Sequence, residues 1–389
     1  MEVIIIGTGV FGLSAADHAH NKHPHAKLSI VSRPSRLAPS DDITKIARID
    51  YSSTKRLQEA KIAYSQWKND DFFSKYQRII GRVMIYESGD TTHTDINEAR
   101  QNLQLSARPA FGPELMEQIF ETTSAPEALT YVYNDDDMII DWQSCISQAR
   151  QRASAACNGT GGRMYENGVK TLVHRDSRVT EIVLDNDERI EAATAQIVLA
   201  PGPWLAEVLA ASAITLPPPD RTPTPTGLFS YIIQLRDDQA ELFRQKPIVS
   251  HDGKVDFLPP ASMESTTCKM TWIEPFTNMR GPPESRIKDL SRSALAKSHM
   301  LKAMEWARTF LPALHGARII SVTSYWDGVT ATQDPIIAYH PEIQNLLCAA
   351  AMFQTTTAGI QSKFHFNMIS HVSLVEATLL LWKRKPRKK

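Results

Sequence analysis

Near its start the chain runs three isoleucines, Ile4, Ile5 and Ile6, straight into Gly7-Thr-Gly9-Val10-Phe11-Gly12. The apolar run is too short for a helix and offers water no charged face. It reads as a strand buried on both sides, central in a parallel sheet. The glycines follow at dinucleotide-fingerprint spacing, and Leu13-Ser-Ala-Ala-Asp-His continues as a helix. Gly7 permits the tight turn, Gly9 lets a pyrophosphate approach the backbone, and Gly12 lets helix and strand pack closely. The phosphates then meet unpaired N–H groups at the positive helix end, flanked by Val10 and Phe11. The alternative is a tight strand-to-helix turn that holds no ligand.

One position departs from this pattern. The second strand is expected at Lys27-Leu-Ser-Ile-Val31, and its tip ordinarily carries an acid for the adenosine ribose hydroxyls. Here the tip is Ser32-Arg33. A serine hydroxyl hydrogen-bonds a ribose more weakly than a carboxylate does, whereas serine with arginine suits the 2′-phosphate of NADP.

At 389 residues, with 43 basic and 43 acidic side chains, the chain has room for a large core and has no net charge. Balanced charge argues against a nucleic-acid or anionic-membrane partner, and no apolar run is long enough to span a bilayer. The N-terminus is already a strand, so no cleavable signal peptide is expected, and the C-terminus does not match the peroxisomal tripeptide. The expected location is therefore cytoplasmic. Cys145, Cys157, Cys268 and Cys348 are widely spaced without a CxxC, and read as reduced thiols. No metal site is expected, and residues 383–389 form a basic tail read as a solvated end.

Strand and helix patterns alternate along the chain. Helices are expected near 57–67, 142–157 and 290–310. Strands are expected at 82–86, 178–184, 195–200 and 346–352, with a strand-rich stretch over 226–272. The proline- and threonine-dense segment 215–226 reads as a crossing between domains.

Several stretches, taken in order, resemble the glycine/sarcosine oxidase side of the FAD-dependent amine oxidases. The likeness is strongest to fungal fructosyl-amino-acid oxidases and saccharopine or pipecolate oxidase-like proteins. The most specific stretch is Ser40-Asp-Asp-Ile-Thr44-Lys45-Ile-Ala-Arg48-Ile-Asp50-Tyr51, similar to the family's loop beside the flavin. Others are Leu199-Ala200-Pro-Gly202-Pro-Trp204, Cys268-Lys269-Met270, Tyr325-Trp326-Asp327 and Ser362-Lys363-Phe364. The resemblance favours FAD over NADP. It implies an α/β fold with a Rossmann-type FAD-binding domain, glutathione-reductase-like, and a discontinuous antiparallel-sheet substrate domain. The boundaries expected are 1–55, 140–215 and 311–382 for the first domain and 56–139 and 216–310 for the second.

The resemblance further implies oxidation of a C–N bond in an amino acid or secondary amine to an imine, with O2 as acceptor giving H2O2. The expected partners are thus a small amine and O2, in a monomer. Lys269 matches the lysine that activates oxygen near flavin N5, and Lys363 and Arg48 match basic residues facing the substrate carboxylate or flavin edge. Cofactor contacts are expected from Gly7, Gly9, Val10, Phe11, Gly12, Ser32, Arg33, Ser40, Thr44, Lys45, Val179, Ala200, Gly202, Trp204, Tyr325, Gly359 and Lys363. Two departures stand out. The family's flavin-linking cysteine position holds Tyr325, so FAD is expected to bind non-covalently. The glycine-rich stretch before the Lys-Phe pair is here Gln354-Thr-Thr-Thr-Ala-Gly359-Ile-Gln-Ser362. These departures leave two other readings open: a flavoenzyme of the same fold with a pathway-specific oxidation or dehydrogenation, and a catalytically impaired pseudo-oxidase.

Overall fold

A computed structural model describes residues 1–33, 37–122, 125–215, 222–278, 287–331 and 335–350. The isoleucine run forms strand Glu2–Ile6 inside a six-stranded sheet, between Gln196–Leu199 and Lys27–Val31, both parallel to it. Period-two alternation explains why no polar residue fits there. Val3 and Ile5 face a layer containing helices Val10–Lys22 and Trp142–Gly159. Ile4 and Ile6 face the opposite way, toward the antiparallel strands Val169–Arg175, Arg178–Leu184 and Arg189–Glu191 and helix Leu205–Ala211. Ile4 and Ile5 are fully buried, each worth about 1.5–3 kcal/mol relative to exposure. Met164–Tyr165 and Leu346–Ala350 extend the sheet, and antiparallel Ile336–Tyr339 closes one edge.

An eight-stranded sheet forms the second layer system, in the order Arg318–Val329, Thr224–Gln234, Thr267–Thr277, Val255–Leu258, Ile248–His251, Arg82–Tyr86, Thr130–Asn134, Ala110–Phe111. One face takes helix Ala294–Phe310, whose Ala296, Ala303, Trp306, Ala307 and Phe310 repeat at helical spacing against Phe229, Tyr231 and Phe257. Ser293 caps that helix by accepting from the Ala296 N–H at 3.1 Å. A small sheet of Thr44–Ala47, Met138–Asp141 and Gln77–Ile79 completes the set.

One expectation needs correction. Residues 311–382 were assigned to the dinucleotide domain, yet Arg318–Val329 pairs along its length with Thr224–Gln234 in the larger sheet. Its alternating side chains serve that sheet's core and the cavity beneath it. The stretch 226–272 is strand-rich as expected, and it also contains helix Asp237–Arg244. Gln239 Oε1 caps it by accepting the Arg236 N–H at 3.1 Å. Among the described residues no helix is long and apolar enough to cross a membrane, and no cluster of three metal-ligating side chains occurs.

Candidate functional site

A cavity of about 670 Å³ opens between the carboxyl ends of the parallel strands and the face of the eight-stranded sheet away from its helix. Alternation selects its lining. Lys269 and Thr271 line it while Cys268 and Met270 enter the core; Leu228 and Ser230 line it while Phe229 and Tyr231 turn away. Asp256 and Leu258 repeat the pattern on the next strand, and Tyr325 and Asp327 do so on Arg318–Val329.

At the floor, Gly7 sits at φ +107°, a conformation side chains rarely adopt, and an added Cβ would lie 2.1 Å from the Ala200 carbonyl oxygen. Gly12 is held by space: its Cβ would meet the Gly7 carbonyl oxygen at 1.9 Å. Gly9 is different, since the nearest atom to a Cβ there is Ser40 Oγ at 3.1 Å. The helix that Gly9 caps has no side-chain cap and no acid in its first turn, so no acid of its own satisfies its first N–H groups. An open glycine beside an uncapped helix end is the cradle a pyrophosphate requires, and the residues present fit a dinucleotide cofactor.

At the roof, Lys269 is 5% exposed, and its Nζ donates to Asp42 Oδ2 at 2.6 Å and to the Thr44 carbonyl oxygen at 2.7 Å. Lys45 Nζ donates to the same Asp42 oxygen at 2.8 Å. Burial favours a neutral Asp42, but the two ammonium groups outweigh it and hold the carboxyl below its usual range. Burial also pulls Lys269 below an ordinary lysine, with repulsion from Lys45 adding to it and Asp42 offsetting it only in part. Within this trio two ammonium groups share one carboxylate. Asp327 is pushed up to about 7 by burial, which Lys45 offsets only in part and Asp42 reinforces.

That shift carries a stability prediction. An acid with a raised folded-state pKa binds more protons folded than unfolded across about pH 4 to 7, so its charge costs stability progressively through that window. Asp327→Asn is expected to raise the melting temperature of the cofactor-free protein at pH 8 and leave it nearly unchanged at pH 4. Equal shifts at both pH values would contradict the burial of that carboxyl.

Of the sequence-derived candidates, Gly7, Gly9, Val10, Phe11, Ser32, Arg33, Ser40, Lys45, Ala200, Gly202, Trp204, Lys269 and Tyr325 line the cavity. Gly12 lies behind it as a packing residue. Thr44 is buried, its hydroxyl donating to the Ile140 carbonyl at 2.8 Å; its backbone carbonyl, not its side chain, serves the site by holding Lys269. Arg48 is 4% exposed and does not line the cavity. Its guanidinium stacks on Tyr51 at 4.2 Å, and Nε and Nη2 find no hydrogen-bond partner among the described residues. Val179 does not line the cavity either: its side chain sits in the core with Ile4 and Ile6, and its N–H donates to Asn345 at 2.9 Å. Val169, on the strand beside it, occupies the cavity wall. Gly359 and Lys363 lie outside the described residues.

Arg33, considered for a 2′-phosphate, donates to Asp185 at 2.5 Å and is already neutralised. Ser32 Oγ meets Thr8 Oγ1 at 2.5 Å. Sequence reasoning overlooked Asp42, Asp327 and Arg150, whose Nη2 donates to Asp41 at 2.8 Å at the cavity edge. The signal for the two acids was their place inside or beside the quoted motifs.

None of the four cysteines reaches the cavity. All are buried, and burial raises their thiols, to about 12 for Cys145, about 11 for Cys157 and about 12 for Cys348, with Cys268 higher still. Tyr325 lines the cavity with its phenol pushed well up by burial.

Residues 2–360 match the family described as FAD dependent oxidoreductase. The L-saccharopine oxidase of Schizosaccharomyces pombe is 22% identical over 376 residues, covering 89% of this chain and 84% of that protein. Among solved structures, fructosamine oxidase (Amadoriase II) from Aspergillus fumigatus superposes with TM-score 0.78 at 15% identity, covering 99% of this chain and 87% of that one. A modified fructosyl peptide oxidase from Aspergillus nidulans gives 0.77 at 15% identity, covering 98% and 90% respectively. At these identities the structural matches establish the fold.

Proposed function

The chain belongs to the FAD-dependent oxidoreductase family, and from that premise we propose that it oxidises the C–N bond of an amino acid or N-substituted amine to the imine, passing electrons to O2 as H2O2. The observation that carries this reading is the buried Lys269 ammonium on the cavity wall, held by Asp42 and Thr44. The named relatives, oxidases of L-saccharopine and of fructosamine, supply the substrate class.

FAD would lie along Gly7 and Gly9 at its pyrophosphate and beneath Lys45, Lys269 and Tyr325 at its ring. When bound it supplies the redox chemistry, accepting a hydride equivalent and returning electrons to oxygen. Lys269 donates two of its three N–H groups to Asp42 and Thr44, leaving the third for a group in the cavity. Its role is to stabilise negative charge as it builds on oxygen. Asp42 orients Lys269 and keeps it from swinging away. Arg48 does not line the described cavity, so the carboxylate contact that the resemblance implied for it is not part of this proposal.

We propose non-covalent attachment, supported by Tyr325 at the expected linkage position and by the absence of a cysteine on the described wall. The test of the proposal is peroxide release when purified, FAD-saturated protein is given N-substituted amino acids in air. H2O2 in step with substrate loss is expected. Flavin reduction without peroxide in air would replace the oxidase by a dehydrogenase using another acceptor.

A further inference from the structure

The second parallel strand ends in Ser32 where an acid ordinarily receives the adenosine ribose, and Arg33 is tied to Asp185. A carboxylate lies one strand away. Met164–Tyr165 pairs in parallel with Lys27–Val31, Ile30 opposite Met164 and Val31 opposite Tyr165, and the Ser32 N–H donates to the Tyr165 carbonyl at 2.9 Å. The next step in that register sets Glu166 beside Ser32 at the same sheet end. Both residues line the cavity, and Glu166 is exposed there without an ion pair or side-chain hydrogen bond among the described residues.

We infer that Glu166 is the carboxylate that binds the adenosine ribose hydroxyls of FAD, taking over from the neighbouring strand the function Ser32 cannot perform. A carboxylate accepts hydrogen bonds from both hydroxyls of a ribose, and such charge-assisted bonds are about twice as strong as the neutral one a serine offers. Ser32 Oγ is moreover already engaged with Thr8 Oγ1. The carboxylate also turns away a 2′-phosphate, so the same residue selects FAD over NADP by like-charge repulsion. The inference rests on the flavin reading above and deepens it.

The experiment titrates cofactor-free protein with FAD and separately with FMN, which lacks adenosine, following quenching of flavin fluorescence. Glu166→Gln is expected to weaken FAD roughly ten- to hundredfold while leaving FMN affinity unchanged. The double variant Ser32→Glu with Glu166→Gln returns the carboxylate to the strand tip and is expected to recover FAD affinity. Wild-type binding of FAD with an indifferent Glu166→Gln variant, or equal weakening of FAD and FMN, overturns this inference alone. A wild-type protein that takes up no FAD overturns the flavin reading and this inference with it.

Discussion

Lys269→Met is expected to leave reduction of the bound flavin by substrate nearly intact and to slow its reoxidation by O2 by about 10²–10³-fold, the usual cost of removing one preorganised charge-stabilising group. The variant should fold. Asp42 keeps Lys45 as a partner at 2.8 Å, so no buried carboxylate is stranded, and methionine fills nearly the same volume. Stopped-flow measurement of the two half-reactions separates the effects, since only the oxidative one needs the cation. Its pH profile carries a second signature. The Lys269 pKa lies below an ordinary lysine's, so the oxidative rate falls with rising pH through that lowered value as the ammonium deprotonates. Lys269→Met should abolish this limb. Reoxidation at the wild-type rate would remove Lys269 from the chemistry.

Two glycines of one motif should fail in opposite ways. Gly12→Ala drives a Cβ to 1.9 Å from the Gly7 carbonyl oxygen and 2.8 Å from its carbon. Both are backbone atoms, so the helix must leave the strand. A loss of about 3 kcal/mol or more is expected, at the top of the range for overpacking, with little folded protein recovered. Gly9→Ala adds its methyl at φ −77°, where alanine is unstrained, and its nearest described neighbour is the Ser40 side chain, with Oγ at 3.1 Å. The cofactor-free protein should melt within a few degrees of wild type yet bind FAD far more weakly, because the methyl occupies the pyrophosphate path. Thermal melts with and without added FAD distinguish the two. A Gly12→Ala protein that melts like wild type would contradict the packing described here.

The fingerprint was legible because its logic is local. An apolar run followed by glycines at fixed spacing needs no knowledge of distant contacts, and Ile4 and Ile5 are buried as that pattern requires. Helix Ala294–Phe310 was legible for the same reason, its apolar positions recurring every turn. What the sequence hid depends on long-range pairing. Arg318–Val329 is a strand by pattern, but only its ladder with Thr224–Gln234 says which sheet it joins. Val169 and Val179 lie on paired strands, and only the packing of those strands shows that Val169 meets the cavity while Val179 enters the core. Asp42 reads as a solvated loop acid until the fold brings Lys269, more than two hundred residues away, onto its carboxylate. The short helix Asp237–Arg244 sits among strands, and its eight residues give periodicity little room to declare itself.

The most direct measurement is the visible absorption spectrum of the purified protein, repeated on the supernatant and pellet after acid precipitation. Flavin bands in the native protein that pass entirely into the supernatant are the predicted result, as expected of FAD held without a covalent bond beside Tyr325. Yellow colour retained in the pellet would contradict the non-covalent site. A spectrum without flavin bands, even after incubation with added FAD, would contradict the flavoenzyme itself.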